Sequence, residues 1–81
     1  MSVRVLFFAS LADITGTHEA TADASQHPTV GAIFADFASR FPLLETHRGS
    51  LLSACNSQYA DPQTPVRDGD EVAFFPPVSG G

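Results

Sequence analysis

The residues best suited to chemistry in this sequence are the last six, where two prolines and two small residues lead to a pair of glycines. In order they are Pro76, Pro77, Val78, Ser79, Gly80 and Gly81. Because proline lacks an N–H and fixes φ, the two prolines end strand pairing and direct the chain away from the body. A glycine pair fits channels too narrow for larger residues, and six extended residues reach at most about 20 Å. We therefore expect a flexible tail over residues 76–81 whose working group is the α-carboxylate of Gly81, presented to another protein's active site.

Cys55 is the other reactive side chain of interest. As the single cysteine, it excludes an internal disulfide and an all-cysteine metal site within one chain. It lies in the apolar segment 51–55, and no His or Lys adjoins it to lower its pKa, so we predict a buried structural thiol rather than a nucleophile. The three histidines lack the short spacing of zinc ligands, and no metal site is predicted. They are His18, His27 and His47.

The acidic residues around Gly69 are the remaining candidate for a ligand site. Asp68, Asp70 and Glu71 flank this glycine closely, which suggests a cation site. The segment is too short for a Ca²⁺-binding loop, so a solvated turn is predicted instead.

Composition limits the classes of partner. The 81 residues carry a formal net charge of −5, with nine acidic residues against four basic ones, all of them arginine. Nucleic acids and anionic membrane surfaces select basic proteins, so neither is expected as a partner. The charge favours a protein partner with a positive docking face. Since the sequence contains no lysine, the chain cannot be modified on a lysine side chain.

The amino-terminal segment has only a faint likeness to a signal peptide. Its uninterrupted apolar segment, 5–9, is shorter than the apolar region of a usual signal peptide, and Asp13 follows closely. No segment approaches the length of a membrane span. We therefore expect a cytoplasmic protein, and a free thiol is consistent with a reducing compartment.

Residue patterns predict the elements that position the tail. Strands are predicted at 3–9, 18–23, 51–55 and 71–75. The second strand is weakly patterned and is expected at a sheet edge. A short helical turn is predicted from Ser10 to Ile14, closed by Gly16, and segment 56–65 is predicted to be rich in turns.

One long helix is predicted between the second and third strands. Thr29 is a suitable N-cap, and Pro42 ends the helix. Its apolar residues recur at helical spacing and form one stripe, which we interpret as core packing rather than a cofactor site. The stripe consists of Val30, Ile33, Phe34, Phe37 and Phe41.

The order ββαββ predicts an α+β fold in which a mixed sheet curls around one main helix. This is a β-grasp, or ubiquitin-like, arrangement, expected as a single domain over residues 1–81. A ferredoxin-like fold is the alternative, but it requires a second long helix that the sequence lacks. In a β-grasp the first and last strands are neighbours, and strand alternation places Phe8 and Phe75 on the face opposite the helix. We expect these two aromatics to form an apolar docking patch beside the tail.

Four segments of this chain resemble the family of molybdopterin synthase small subunits. The longest is 68–81, DGDEVAFFPPVSGG, which is highly specific; the others are 5–9, 28–30 and 51–56. The resemblance thus extends along the whole chain. The sequence departs from the family pattern at two points: it contains no lysine, and it has Cys55 where an aliphatic residue is expected. It also implies that Tyr59 joins Phe8 and Phe75 in the docking patch.

The resemblance implies a chemistry for Gly81. An adenylating enzyme similar to the ubiquitin-activating type would use ATP to form a transient acyl-adenylate, and a sulfur donor would displace AMP to leave a thiocarboxylate. The tail would then enter the large subunit and donate sulfur to cyclic pyranopterin monophosphate. The resemblance also implies an assembly of two small and two large chains, with catalytic residues on the large subunit. No permanently bound cofactor is implied for the small subunit.

Three other functions remain open at this point. A sulfur carrier of another pathway, such as that for the thiazole of thiamine, would share the tail and its activation. A ubiquitin-like modifier would form isopeptide bonds with lysines of target proteins. A plain β-grasp interaction domain would carry an inert tail.

Overall fold

The structure, a computed structural model, describes residues 2–77 of the chain. Its strands are β1 (Ser2–Phe7), β2 (Glu19–Asp23), β3 (Leu52–Cys55), β4 (Gln58–Ala60) and β5 (Glu71–Phe75). Its helices are α1 (Ser10–Thr15), α2 (Val30–Arg40) and a 3₁₀ helix (Pro42–His47). None of the helices in this part of the chain is long and apolar enough to cross a lipid bilayer.

The five strands form one mixed sheet in the order β2-β1-β5-β3-β4. The first and last strands pair in parallel, and all other neighbours are antiparallel. This is the predicted β-grasp arrangement, with β2 at one edge as expected. The strand count differs from the prediction, because segment 56–65 contains β4 as well as turns. A three-residue strand is too short to show an alternating pattern, which explains why it was missed.

Strand alternation and the helical stripe meet in the core, as predicted. Every second residue of β1 and β5 is buried, and the stripe of α2 packs against them. The aromatic rings hold the two layers together: Phe7 meets Phe37 edge-on at 5.1 Å, and Phe34 meets Phe74 at 5.5 Å between ring centroids. Phe41 is only half-buried, because α2 ends at Arg40.

The structure agrees with the predicted start and end of α2. The Thr29 hydroxyl accepts a hydrogen bond from the Ala32 N–H at 3.1 Å, so it caps α2 as expected. Pro42 does not continue α2 but begins the 3₁₀ helix. Gly16, with φ of 76°, closes α1 in the left-handed conformation that glycine adopts at little cost.

The start of α2 is covered by the loop before β5. The N–H of Val30 donates to the Thr64 carbonyl at 2.9 Å, and the N–H of Gly31 donates to the Pro62 carbonyl at 2.8 Å. Two N–H groups that a helix leaves unpaired are therefore satisfied by the loop. A β-carbon on Gly31 would lie 2.8 Å from the Pro62 carbonyl oxygen, so glycine is needed for this close approach.

Asp70 joins the turn before β5 to its surroundings. Its carboxylate accepts hydrogen bonds from the Asn56 side-chain amide at 2.9 Å and from the Arg67 N–H at 2.8 Å. These bonds favour the ionised form and lower the pKa of Asp70 below its usual value, the Asn56 bond first. The predicted turn is present. Its Asp70 side chain, however, is half-buried and has a structural role.

Replacing Gly31 with alanine tests the close approach of the loop. Alanine favours a helix by about 1 kcal/mol over glycine, but the contact with the Pro62 carbonyl forces the loop to move. We expect Gly31→Ala to lower the free energy of unfolding by about 1–3 kcal/mol in denaturant titrations. Gly49→Ala is the matched control, since nothing lies within 4 Å of its added β-carbon. Equal stabilities for the two variants would contradict the prediction.

The lowered pKa of Asp70 predicts a pH-dependent contribution to stability. Because the pKa is lower in the folded state, the contribution is present above the unfolded value of about 3.8 and is lost as pH falls through the folded pKa. We expect Asp70→Ala to be less stable than the original chain by about 1 kcal/mol at pH 7. This difference should shrink below pH 4 in urea titrations at several pH values. A difference that stays constant down to pH 2 would argue against the prediction.

Candidate functional site

The root of the tail lies in the middle of the sheet. Strand β5 pairs with β1 on one side and with β3 on the other, and Phe75 is opposite Leu52. The Phe8 N–H donates to the Phe74 carbonyl at 3.1 Å, which extends the pairing to the end of β5. Pro76 and Pro77 follow directly and leave the sheet, the second of them exposed. The chain therefore leaves the body from a point that two neighbouring strands hold in place.

The predicted reactive end of the tail lies outside the described residues. Val78, Ser79, Gly80 and Gly81 are all beyond residue 77, where the description ends. The role of the Gly81 carboxylate accordingly stays a prediction.

An aromatic patch, made of Phe8, Phe75 and Tyr59, lies beside the root of the tail. The Phe75 ring is at the centre, 6.5 Å from the Phe8 ring and 6.2 Å from the Tyr59 ring between centroids. These distances are within the range of favourable aromatic pairs. Phe8 is 47% exposed and Tyr59 is 80% exposed, whereas Phe75 is half-buried between them. The structure confirms that these three residues lie together on the face opposite α2, while their docking role stays a prediction.

The patch continues into a broader apolar area of the same sheet face. Cross-strand pairs place Ala54 opposite Tyr59 and opposite Ala73, and Ala73 opposite Leu6. All but Tyr59 are half-buried. This extension cannot be identified from the sequence alone, because the position of Ala54 depends on the pairing of β3 with β4 and β5. Alternation within each strand was the available signal, but it does not reveal which strands are neighbours.

Arg4 lies on the same face, below the apolar area. Its guanidinium pairs with the carboxylates of Glu71 at 3.0 Å and Glu19 at 3.4 Å. With two acidic groups around one cation, this part of the face is net negative. This local charge has the same sign as the net charge of the whole chain.

Cys55 is half-buried rather than buried, which corrects the prediction from sequence. It is the last residue of β3, and its Sγ is 3.9 Å from the Asp70 carboxylate. Partial burial and then the nearby negative charge raise the pKa of the Cys55 thiol. A raised pKa makes the thiol poorly suited to act as a nucleophile, which agrees with the prediction that no adjoining His or Lys lowers its pKa.

The histidines and acidic residues do not form a metal centre in the described part of the chain. Within residues 2–77, no group of three or more His, Cys, Asp or Glu side chains could hold an ion. His27 illustrates their structural use: its Nδ1 is 3.0 Å from the Asp23 carbonyl, and its Nε2 is 3.8 Å from Asp36.

Comparisons with known proteins agree with this geometry. The ThiS family matches residues 5–81. The molybdopterin synthase sulfur carrier subunit of Escherichia coli (strain K12) is 43% identical over 81 residues, covering 98% of this chain and 99% of the relative. Among solved structures, the small archaeal modifier protein 1 of Haloferax volcanii is 27% identical with a TM-score of 0.80, covering 95% of this chain and 98% of the other.

A second solved structure is a complex of two proteins. It contains subunits 1 and 2 of the molybdopterin-converting factor from Helicobacter pylori 26695. The matched chain is 26% identical to this one, with a TM-score of 0.70 and complete coverage of both chains. The fold, the coverage of both chains and the sequence identity thus agree, and the chain belongs to the ThiS family, among relatives of the molybdopterin synthase sulfur carrier subunits.

Proposed function

We propose that this chain is the sulfur carrier subunit of a molybdopterin synthase, with the carboxylate of Gly81 as its working group. The observation that carries the proposal is the position of the aromatic patch, which is exposed beside the root of the tail in a chain related along its length to such carriers. A carrier must bind its partner with its body while its end reaches a reaction site. A docking patch at the root of the tail meets both needs.

The proposed chemistry activates an unreactive group. A free α-carboxylate is ionised at neutral pH and is a poor electrophile. In an adenylating partner, a Gly81 oxygen attacks the α-phosphate of ATP, which releases pyrophosphate and forms the acyl-adenylate. A sulfur nucleophile from a donor then displaces AMP and leaves a thiocarboxylate. The large subunit transfers this sulfur to cyclic pyranopterin monophosphate, and water restores the carboxylate.

The residues of this chain contribute positioning to that reaction. The aromatic patch docks against the large subunit and against the adenylating enzyme, and the net charge of −5 suits a positive partner face. Pro76 and Pro77 direct the tail outward. The groups for acid–base catalysis come from the partners, in an assembly of two small and two large chains. The adenylating enzyme consumes ATP, which is not a resident cofactor of this chain. Since the reaction consumes ATP, we propose the cytoplasm as its location.

A protein modifier is the second candidate function. It is favoured by the likeness to the small archaeal modifier protein 1, which matches 95% of this chain. A modifier begins with the same acyl-adenylate but transfers its whole body to an amine of another protein. Detection of adenylation alone therefore does not separate the two functions.

We predict that the intact mass of this chain reports one complete carrier cycle. With the adenylating enzyme, ATP and a sulfur source, one terminal oxygen should be replaced by sulfur. Addition of the large subunit and cyclic pyranopterin monophosphate should restore the original mass as product forms. A chain ending at Gly80 is the control and should gain no transferable sulfur. If sulfur never appears and adducts accumulate on lysines of other proteins, the chain is a modifier.

We predict that Phe75→Asp weakens binding to the large subunit by about tenfold or more, because buried interface aromatics often contribute more than 1 kcal/mol. Titration calorimetry measures the binding, and thermal unfolding measures the stability, which should fall by only about 1 kcal/mol. Leu43→Asp is the matched control, since Leu43 is 63% exposed and lies outside the aromatic patch. If the two variants bound with equal affinity, the aromatic patch would not be part of the interface.

A further inference from the structure

Strand β4, which carries Tyr59, lies at an edge of the described sheet between two crevices. It is three residues long and forms the edge of the described sheet, paired with β3. Two crevices, of about 400 Å³ and 340 Å³, open beside it, and both are lined by Tyr59 and Ala60. A two-stranded ladder of this length is marginal by itself. Contacts of the β3–β4 hairpin with the rest of the sheet therefore contribute to the position of β4.

Asn56 supplies such a contact. It occupies the turn between β3 and β4, where Asn56 and Ser57 have positive φ values of 52° and 70°. Its N–H donates to the Glu71 carbonyl at 2.8 Å, and its side-chain oxygen accepts from the Glu71 N–H at 3.0 Å. Its side-chain amide also donates to the Asp70 carboxylate at 2.9 Å. Three hydrogen bonds thus join the turn of this hairpin to the start of β5.

We infer that Asn56 is a positioning residue for the aromatic patch, because its bonds to β5 fix the hairpin that holds Tyr59 against Phe75. The inference rests on the proposed docking role of the patch. Asn56 itself is exposed and follows the end of β3 that lies away from the tail, because the start of β3 pairs with Phe75. It acts through the orientation of β4.

The side chain and the backbone of Asn56 have separable roles. The left-handed φ at this position favours Asn or Gly, whereas the two side-chain hydrogen bonds require the amide. Asn56→Gly therefore keeps the turn and removes the side-chain bonds to β5. Ser57→Gly is the matched control, because Ser57 occupies the next turn position with the same sign of φ and lies outside this set of bonds.

The test is a double-mutant cycle on binding of the full chain to the molybdopterin synthase large subunit. We expect Tyr59→Ala to raise Kd about tenfold, Asn56→Gly about three- to fivefold, and Ser57→Gly less than twofold. When Tyr59 is already alanine, Asn56→Gly should change Kd by less than twofold, since nothing remains for it to position. A residue with a purely structural role would give independent, multiplicative effects.

Nuclear Overhauser contacts between the Tyr59 and Phe75 rings provide a second measurement that needs no partner. They should weaken in Asn56→Gly and persist in Ser57→Gly. Full ring contacts in Asn56→Gly, or multiplicative effects in the cycle, would overturn the inference. The outcome that overturns the proposed docking role is different: Tyr59→Ala and Phe75→Asp would both bind like the original chain.

Discussion

The pairing of β5 on both sides is the constraint on which the rest of this structure depends. A tail that acts at a distance needs a fixed origin, and a strand in the centre of a sheet is held by two ladders of hydrogen bonds. β5 has this position because it pairs in parallel with β1 and antiparallel with β3. The parallel pair is possible because the long segment between β1 and β5, which includes α2, lets the chain cross back before the last strand begins.

The alternation of β5 gives the same strand two functions. Val72 and Phe74 point to α2 and complete the core, where the Phe74 ring lies 5.5 Å from that of Phe34. Phe75, one residue later, points to the opposite face and forms the centre of the aromatic patch. Because successive side chains of a strand point to opposite faces, Phe74 contributes to the stability of the core and Phe75 to the proposed docking surface. A substitution can therefore alter one with limited effect on the other.

Polar contacts at the amino end of β5 hold together the turn before β5 and the β3–β4 hairpin, which lie outside the hydrophobic core. Asp70 accepts hydrogen bonds from the Arg67 backbone and from Asn56, and the Asn56 side chain continues the pairing of β3 with β5 beyond Cys55. The loop that precedes this turn covers the start of α2. These bonds connect the amino end of the helix, the β3–β4 hairpin and the last strand. The surface that we propose for docking is thus supported by groups that lie outside it.

The sequence by itself determined the features that depend on local pattern. The alternation of β1 and β5, the stripe and caps of α2, and the Gly-Gly tail after Pro76 and Pro77 can each be identified from neighbouring residues, and together they predicted the fold and the candidate site. Only the tertiary structure decided what depends on residues far apart in the chain. β4 is recognisable by its pairing with β3, and the short distance between the Tyr59 and Phe75 rings depends on that pairing. The environment of Cys55 includes Asp70, and that of Asp70 includes Asn56. The physical reason is that burial, pKa and the contacts of an edge strand are set by neighbours in space, which a local pattern does not specify.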